Sequence, residues 1–169
     1  DRTLSLIGAG ARTTIIDGKD LYRGISITSE PGQVNYVSGF TVRNGRPHYH
    51  LETMLPVNWQ GAGFGLSFPG ARPGLFNGSR DTSDGGGIFI TDLHVVTIED
   101  CAIIDCYGNR GGGIYNSGQL TMNRCTVSGN KAESDGGGIF MYYEGSTLDV
   151  INCTISGNTA NGHFGGGIY

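Results

Sequence analysis

Charge is scarce in this chain. Asp, Glu, Lys and Arg make up 15% of its 169 residues, against roughly 25% in ordinary globular proteins. There is no basic run and no stripe of interleaved Arg, Lys and aromatic residues, and the formal net charge is −4. Those features exclude a nucleic-acid binder. No apolar run reaches the roughly 18 residues that a membrane-spanning helix needs. The opening Asp1-Arg2-Thr3 has none of the pattern of a signal peptide. Cysteine occurs 4 times, without a Cys-x-x-Cys pair and without metal-ligand spacing to histidine. No metal or cofactor site is expected from these patterns. Proline occurs 5 times, and Pro47, Pro56, Pro69 and Pro73 fall within one stretch, 46–84.

Glycine is in excess, with 31 residues, and much of it falls in one recurring phrase. Gly85-Gly86-Gly87-Ile88-Phe89 is followed by Gly111-Gly112-Gly113-Ile114-Tyr115, Gly136-Gly137-Gly138-Ile139-Phe140 and Gly165-Gly166-Gly167-Ile168-Tyr169, at intervals of 26, 25 and 29 residues. No Gly-Lys-Ser/Thr follows, so this is not a phosphate loop. Glycine does not occur at every third position, so this is not collagen. A second phrase keeps step: Cys101-Ala102-Ile103, Cys125-Thr126-Val127-Ser128-Gly129-Asn130 and Cys153-Thr154-Ile155-Ser156-Gly157-Asn158. Two phrases in fixed order at a near-fixed period mark a solenoid, each repeat buried against its neighbours.

The repeats read as strands. Runs such as Leu120-Thr121-Met122 and Leu148-Asp149-Val150 alternate in character and are bounded by Gly, Asn, Asp and Ser. About 25 residues hold three short strands and three turns. The expected fold is therefore all-β: a single-stranded parallel β-helix of about five to six turns with one long inserted loop. Residues 1–45 form degenerate turns, in which Gly24-Ile25 matches the later Gly-Ile and Phe40-Thr41-Val42 matches Cys-Thr-Val. Residues 46–84 form a Pro-, Gly- and aromatic-rich inserted loop, and 85–169 the regular repeats. The chain begins in a strand-like run and stops inside a repeat at Tyr169, so the natural protein is expected to be longer.

Stacked turns make columns. Ile25, Ile88, Ile114, Ile139 and Ile168 are expected to form one inward column. Phe40, Cys101, Cys125 and Cys153 form a second, with Val42, Ile103, Val127 and Ile155 two residues on. Alternation turns Phe89, Tyr115, Phe140 and Tyr169 outward. Asn130 and Asn158 stack at a turn, where an Asn can adopt positive φ and bond the backbone above and below. Cys106 takes the Asn position in its own turn. Triple glycine fits a sharp corner.

The phrases Gly111-Gly112-Gly113-Ile114-Tyr115 and Leu120-Thr121-Met122-Asn123-Arg124-Cys125-Thr126-Val127-Ser128-Gly129-Asn130 resemble the right-handed parallel β-helix repeats of large bacterial surface and secreted proteins. They are similar to polymorphic outer-membrane-protein repeats and, more broadly, to the pectin-lyase-like superfamily. The lead-in, 4–18 and 38–45, looks like the same group. The resemblance covers about three quarters of the chain and implies right-handedness and an extracellular or cell-surface setting. It says little of activity, because this fold carries lyases, hydrolases, adhesins and inert stalks.

Candidate chemistry is sparse. Polysaccharide lyases that this chain resembles in fold hold calcium on outward carboxylates of adjacent turns. Here Asp84 and Asp135 precede a triple glycine, but Arg110 and Phe164 take that place in the other turns. A hydrolase needs paired carboxylates about 5–9.5 Å apart, and Asp81 with Asp84 is the one pair to test; both also suit turns. The column Phe89, Tyr115, Phe140, Tyr169 would serve as a sugar-stacking platform or, more simply, as a stack within the ladder. His48 and His50, with Trp59, are further candidate contacts on the inserted loop. Asn152-Cys153-Thr154 fits the glycosylation sequon and reads as part of a strand. The leading expectation is a structural or adhesive segment of a surface β-helix, in a filament or surface layer, contacting copies of itself, other surface proteins or glycans. The alternative is a polysaccharide-binding or polysaccharide-cleaving β-helix.

Overall fold

The computed structural model describes residues 4–27, 34–47, 83–91, 94–142, 144–162 and 164–169. Among them there are strands and no helix, and the strands pair only in parallel. Four sheets run along the molecule. The first stacks β1 (Leu4–Ile7), β4 (Val34–Ser38), β7 (Val95–Glu99), β11 (Gln119–Asn123) and β15 (Thr147–Ile151). The second stacks β2 (Ile15–Asp17), β5 (Thr41–Arg43), β8 (Ala102–Ile104), β12 (Thr126–Ser128) and β16 (Thr154–Ser156). The third holds β3 (Ile25–Ile27), β6 (Ile88–Ile90), β10 (Ile114–Asn116) and β14 (Ile139–Met141), with Ile168 bridged to Ile139. The short fourth holds β9 (Tyr107–Gly108), β13 (Lys131–Ala132) and β17 (Thr159–Ala160).

The path visits the sheets in the same order each time, so the chain is a parallel β-solenoid. It returns to the first sheet four times, giving four complete turns and most of a fifth. That is slightly fewer than the five to six expected. β1, β2 and β3 together make the first turn.

Register places like residues on like. Ile25 pairs with Ile88, Ile88 with Ile114, and Ile114 with Ile139. These isoleucines are buried in one core with Val42, Ile103 and Val127, and with Phe40, Cys101 and Cys125. Each fully buried aliphatic side chain contributes about 1.5–3 kcal/mol, so the core is a column of modest, repeated increments rather than a central cluster.

Three left-handed residues bend each regular turn. Asp100, Arg124 and Asn152 sit between the first and second sheets with φ of 50°, 53° and 53°. Asp105, Gly129 and Gly157 follow the second sheet (52°, 67° and 63°). Gly85, Gly111, Gly136 and Gly165 precede the third (62–65°). The positive φ thus falls one residue before Asn130 and Asn158, not on them, and Asn152 is an exposed corner residue rather than part of a strand. In the triple glycine the first residue supplies the left-handed turn. The second is dictated by space: a Cβ on Gly112 would fall on the Lys131 carbonyl oxygen and 2.5 Å from that of Gly137.

The asparagines serve the ladder through their side chains. Asn130 Oδ1 accepts from the Cys106 amide at 3.0 Å, and its Nδ2 donates to the Ile103 carbonyl at 3.0 Å. Asn158 Oδ1 accepts from the Asn130 amide at 3.0 Å, and its Nδ2 donates to the Val127 carbonyl at 2.9 Å. Cys106 continues the column with a weak donor, its Sγ 3.3 Å from the Ile104 carbonyl.

Candidate functional site

The residue after each isoleucine points to the other side of its strand. Phe89, Tyr115 and Phe140 form a hydrophobic cluster separate from the core. Register pairs Phe89 with Tyr115 and Tyr115 with Phe140. Their rings stack with centroids 4.9 and 5.6 Å apart, and Tyr169 adds to the stack 5.5 Å from Phe140. The outward side of this strand is nevertheless buried. Tyr115 is 0% exposed, and of the four only Tyr169, at 49%, faces solvent. Of the two readings, a sugar-stacking platform or a stack within the ladder, Phe89, Tyr115 and Phe140 form the covered stack, with Tyr169 its exposed end. Alternation determines the side of the strand; it does not determine what lies over it.

Two arginines lie against this column. The Arg23 guanidinium carbon lies 4.6 Å from the Phe89 centroid. That of Arg110 lies 5.5 Å from Tyr115, 5.2 Å from Phe140 and 5.1 Å from Tyr142. Each well-placed cation over a ring contributes about 0.5–2 kcal/mol, the larger figure when water is excluded.

Asp84 completes the arrangement. Its Oδ2 accepts from Arg110 Nη2 at 2.6 Å, and its Oδ1 accepts from Arg110 Nε at 3.2 Å and from the Arg110 amide at 3.0 Å. Burial opposes the guanidinium charge of Arg110, but the hydrogen bond and charge of Asp84 outweigh it and hold the arginine pKa above its ordinary value. Asp84 is fully buried. Asp84 thus serves as an inter-turn clamp, and Asp81, its partner in the expected acid pair, lies outside the described residues. Asp135, farther along the stack, has a related role and accepts from the Phe164 amide at 3.2 Å. The residue preceding the triple glycine is therefore a column of its own: Asp84, Arg110, Asp135, Phe164. Its mixed identity looks like interruption in the sequence and is complementarity in the fold.

The thiols line the inner side. All four cysteines are free, with Cys101, Cys106 and Cys125 buried and Cys153 half-buried. Burial pushes the Cys106 and Cys125 thiols up to about 12. It also raises that of Cys101.

His48, His50, Trp59 and Asp81, with nearly all of the expected 46–84 loop, lie outside the described residues. Sequence reasoning passed over Arg23, Arg110, Tyr142 and Phe164 as members of the aromatic cluster. Arg110 and Phe164 could have been found from the period, because both stand one place before a triple glycine. The exposed part consists of Tyr142, Phe164 and Tyr169, the last two stacked 5.5 Å apart.

No curated protein and no solved structure matches the chain. The family model described as "Right handed beta helix region" matches residues 10–169. That match covers nearly the whole chain and agrees with stacked parallel turns, left-handed corners and a columnar core: the chain belongs to the right-handed β-helix family.

Proposed function

We propose that this chain is a rigid structural segment of a larger extracellular or cell-surface β-helix protein, a spacer or packing element whose outer surface meets copies of itself, other surface proteins or glycans. The observation that carries this reading is the use of its reactive-looking groups. Asp84 clamps Arg110, Asn130 and Asn158 bond the turns beside them, and Phe89, Tyr115 and Phe140 stack under cover. Each is engaged in holding one turn to the next, as a stalk requires. Electron micrographs of the full-length gene product test it: rods, filaments or a surface layer are expected, and uniformly dispersed compact particles would overturn it.

A second reading, a polysaccharide-binding or polysaccharide-cleaving β-helix, is favoured by one feature: the exposed aromatic edge of Tyr142, Phe164 and Tyr169. Sugar rings stack on such faces. A glycan array with reducing-end and unsaturated-product assays separates the two. Saturable binding or turnover that disappears in Tyr142→Ala and Phe164→Ala, with the far-UV spectrum unchanged, would favour this reading. Flat responses across the array favour the structural one.

A further inference from the structure

The cysteine column contains more sulfur than packing requires. Thr14 heads the same column and Phe40 follows it, so the position does not itself demand sulfur; yet the next three turns place Cys101, Cys125 and Cys153 there. The amides that follow keep these positions in register: Thr126 donates to the Cys101 carbonyl and Thr154 to the Cys125 carbonyl, both at 2.9 Å. Successive strands in such a stack lie about 4.8 Å apart. Two metal–thiolate bonds of about 2.3 Å placed end to end span about 4.6 Å. A linear sulfur–metal–sulfur unit therefore matches the rise from one turn to the next.

The local geometry favours one pair. Cys153 Sγ lies between the turns, accepting from the Cys125 amide at 3.3 Å while donating to its own Ile151 carbonyl at 3.2 Å. Cys125 Sγ lies 3.3 Å from both the Ile98 and the Asn123 carbonyls. Cys153 is the only half-buried thiol of the four and is the natural point of entry. Among the described residues no group of three or more His, Cys, Asp or Glu could hold a metal. No third side-chain ligand of that kind stands beside the pair, so a tetrahedral ion such as zinc would lack half of its ligands.

We propose that Cys125 and Cys153 form a two-coordinate site for a soft d10 cation, for which mercury(II) is the charge-matched probe. Both sulfurs act as S–H donors in the free protein. Binding forms two metal–sulfur bonds, breaks two S–H bonds and releases two protons. The dithiolate complex of a divalent ion is neutral, so it adds no net charge to the core. Silver(I) or copper(I) reaches neutrality with a single thiolate and releases one proton.

The test titrates the reduced full chain with mercury(II) in the presence of excess zinc(II). Expected are one tight ion, two protons released per ion, a near-ultraviolet thiolate-to-metal band and two sulfurs at about 2.3 Å by X-ray absorption. Cys153→Ala removes the second proton and the second sulfur. Cys106→Ala, in a different column, retains both. Cys125→Ala behaves like Cys153→Ala if it folds; if it does not, the half-buried Cys153 position decides, with far-UV circular dichroism as the control. One proton per ion in the unaltered chain, or two sulfurs persisting in Cys153→Ala, overturns the assignment.

Discussion

The isoleucine column and the aromatic column climb the same motifs one residue apart, and they are buried by different means. Ile25, Ile88, Ile114 and Ile139 face the interior, where aliphatic side chains fill the space. Phe89, Tyr115 and Phe140 form a stack on the other side of the strand, with cations against their rings and a carboxylate fixing one of those cations. The first column tolerates only matching apolar volume. The second contains charge because the charge is paired, and it reaches solvent at Tyr169. One strand of three residues thus supports two kinds of interior, and the difference between them can be measured.

The largest effect should come from placing a charge in the first column. Ile114→Asp sets an unpaired carboxylate between Ile88 and Ile139. Because each turn supports only its neighbours, the expected outcome is loss of folding rather than a local defect. Retention of the β signal and melting temperature would remove the distinction between the columns. Next, Tyr115→Ala should cost about 3–5 kcal/mol in denaturant unfolding. The same change at Tyr169, where the ring is half exposed, should stay within about 0.5 kcal/mol. Equal losses at both would show that burial along the aromatic column is uniform.

Arg110→Met leaves the carboxylate of Asp84 buried without its guanidinium and should cost about 3–5 kcal/mol. Adding Asp84→Asn should recover some of that loss, since the charge left behind dominates the cost. No recovery in the double variant would mean that Arg110 acts through its contacts with the rings. The smallest effect is a slope. The folded-state pKa values of Cys106 and Cys125 are pushed up to about 12 by burial. The unfolded chain sheds these protons first, so the stability that the buried thiols provide is complete below about pH 8.5 and is lost as pH rises toward 12. Unfolding free energy should fall over that alkaline window, and less steeply in Cys106→Ala.

Much of the scaffold was legible because a solenoid converts sequence period into spatial neighbourhood. The spacing of Gly-Gly-Gly-Ile alone brings Ile88, Ile114 and Ile139 together, and the Cys-Thr phrases align the second sheet in the same way. What the period conceals is pairing between unlike residues. Asp84 and Arg110 are one repeat apart and complementary, but a search for identity sees a broken pattern. Alternation likewise placed Tyr115 correctly outside the core and said nothing of the cover that buries it. The left-handed corner falls on Gly129 rather than Asn130, because glycine adopts positive φ without cost, which frees the asparagine side chain to bond the backbone. Where no period exists, as over 46–84, the sequence offered only composition.

The anchoring of Tyr22 and Arg23 has a consequence for how such a protein is altered. The Tyr22 carbonyl accepts from the Arg46 amide at 2.9 Å, and the adjacent Arg23 donates through Nη2 to the Asp84 carbonyl at 2.8 Å. Two points nearly forty residues apart in the chain are thus held by consecutive residues of one corner. Altering that corner therefore releases both points at once, and with them the register between the turn that ends at Arg46 and the turn that Asp84 opens.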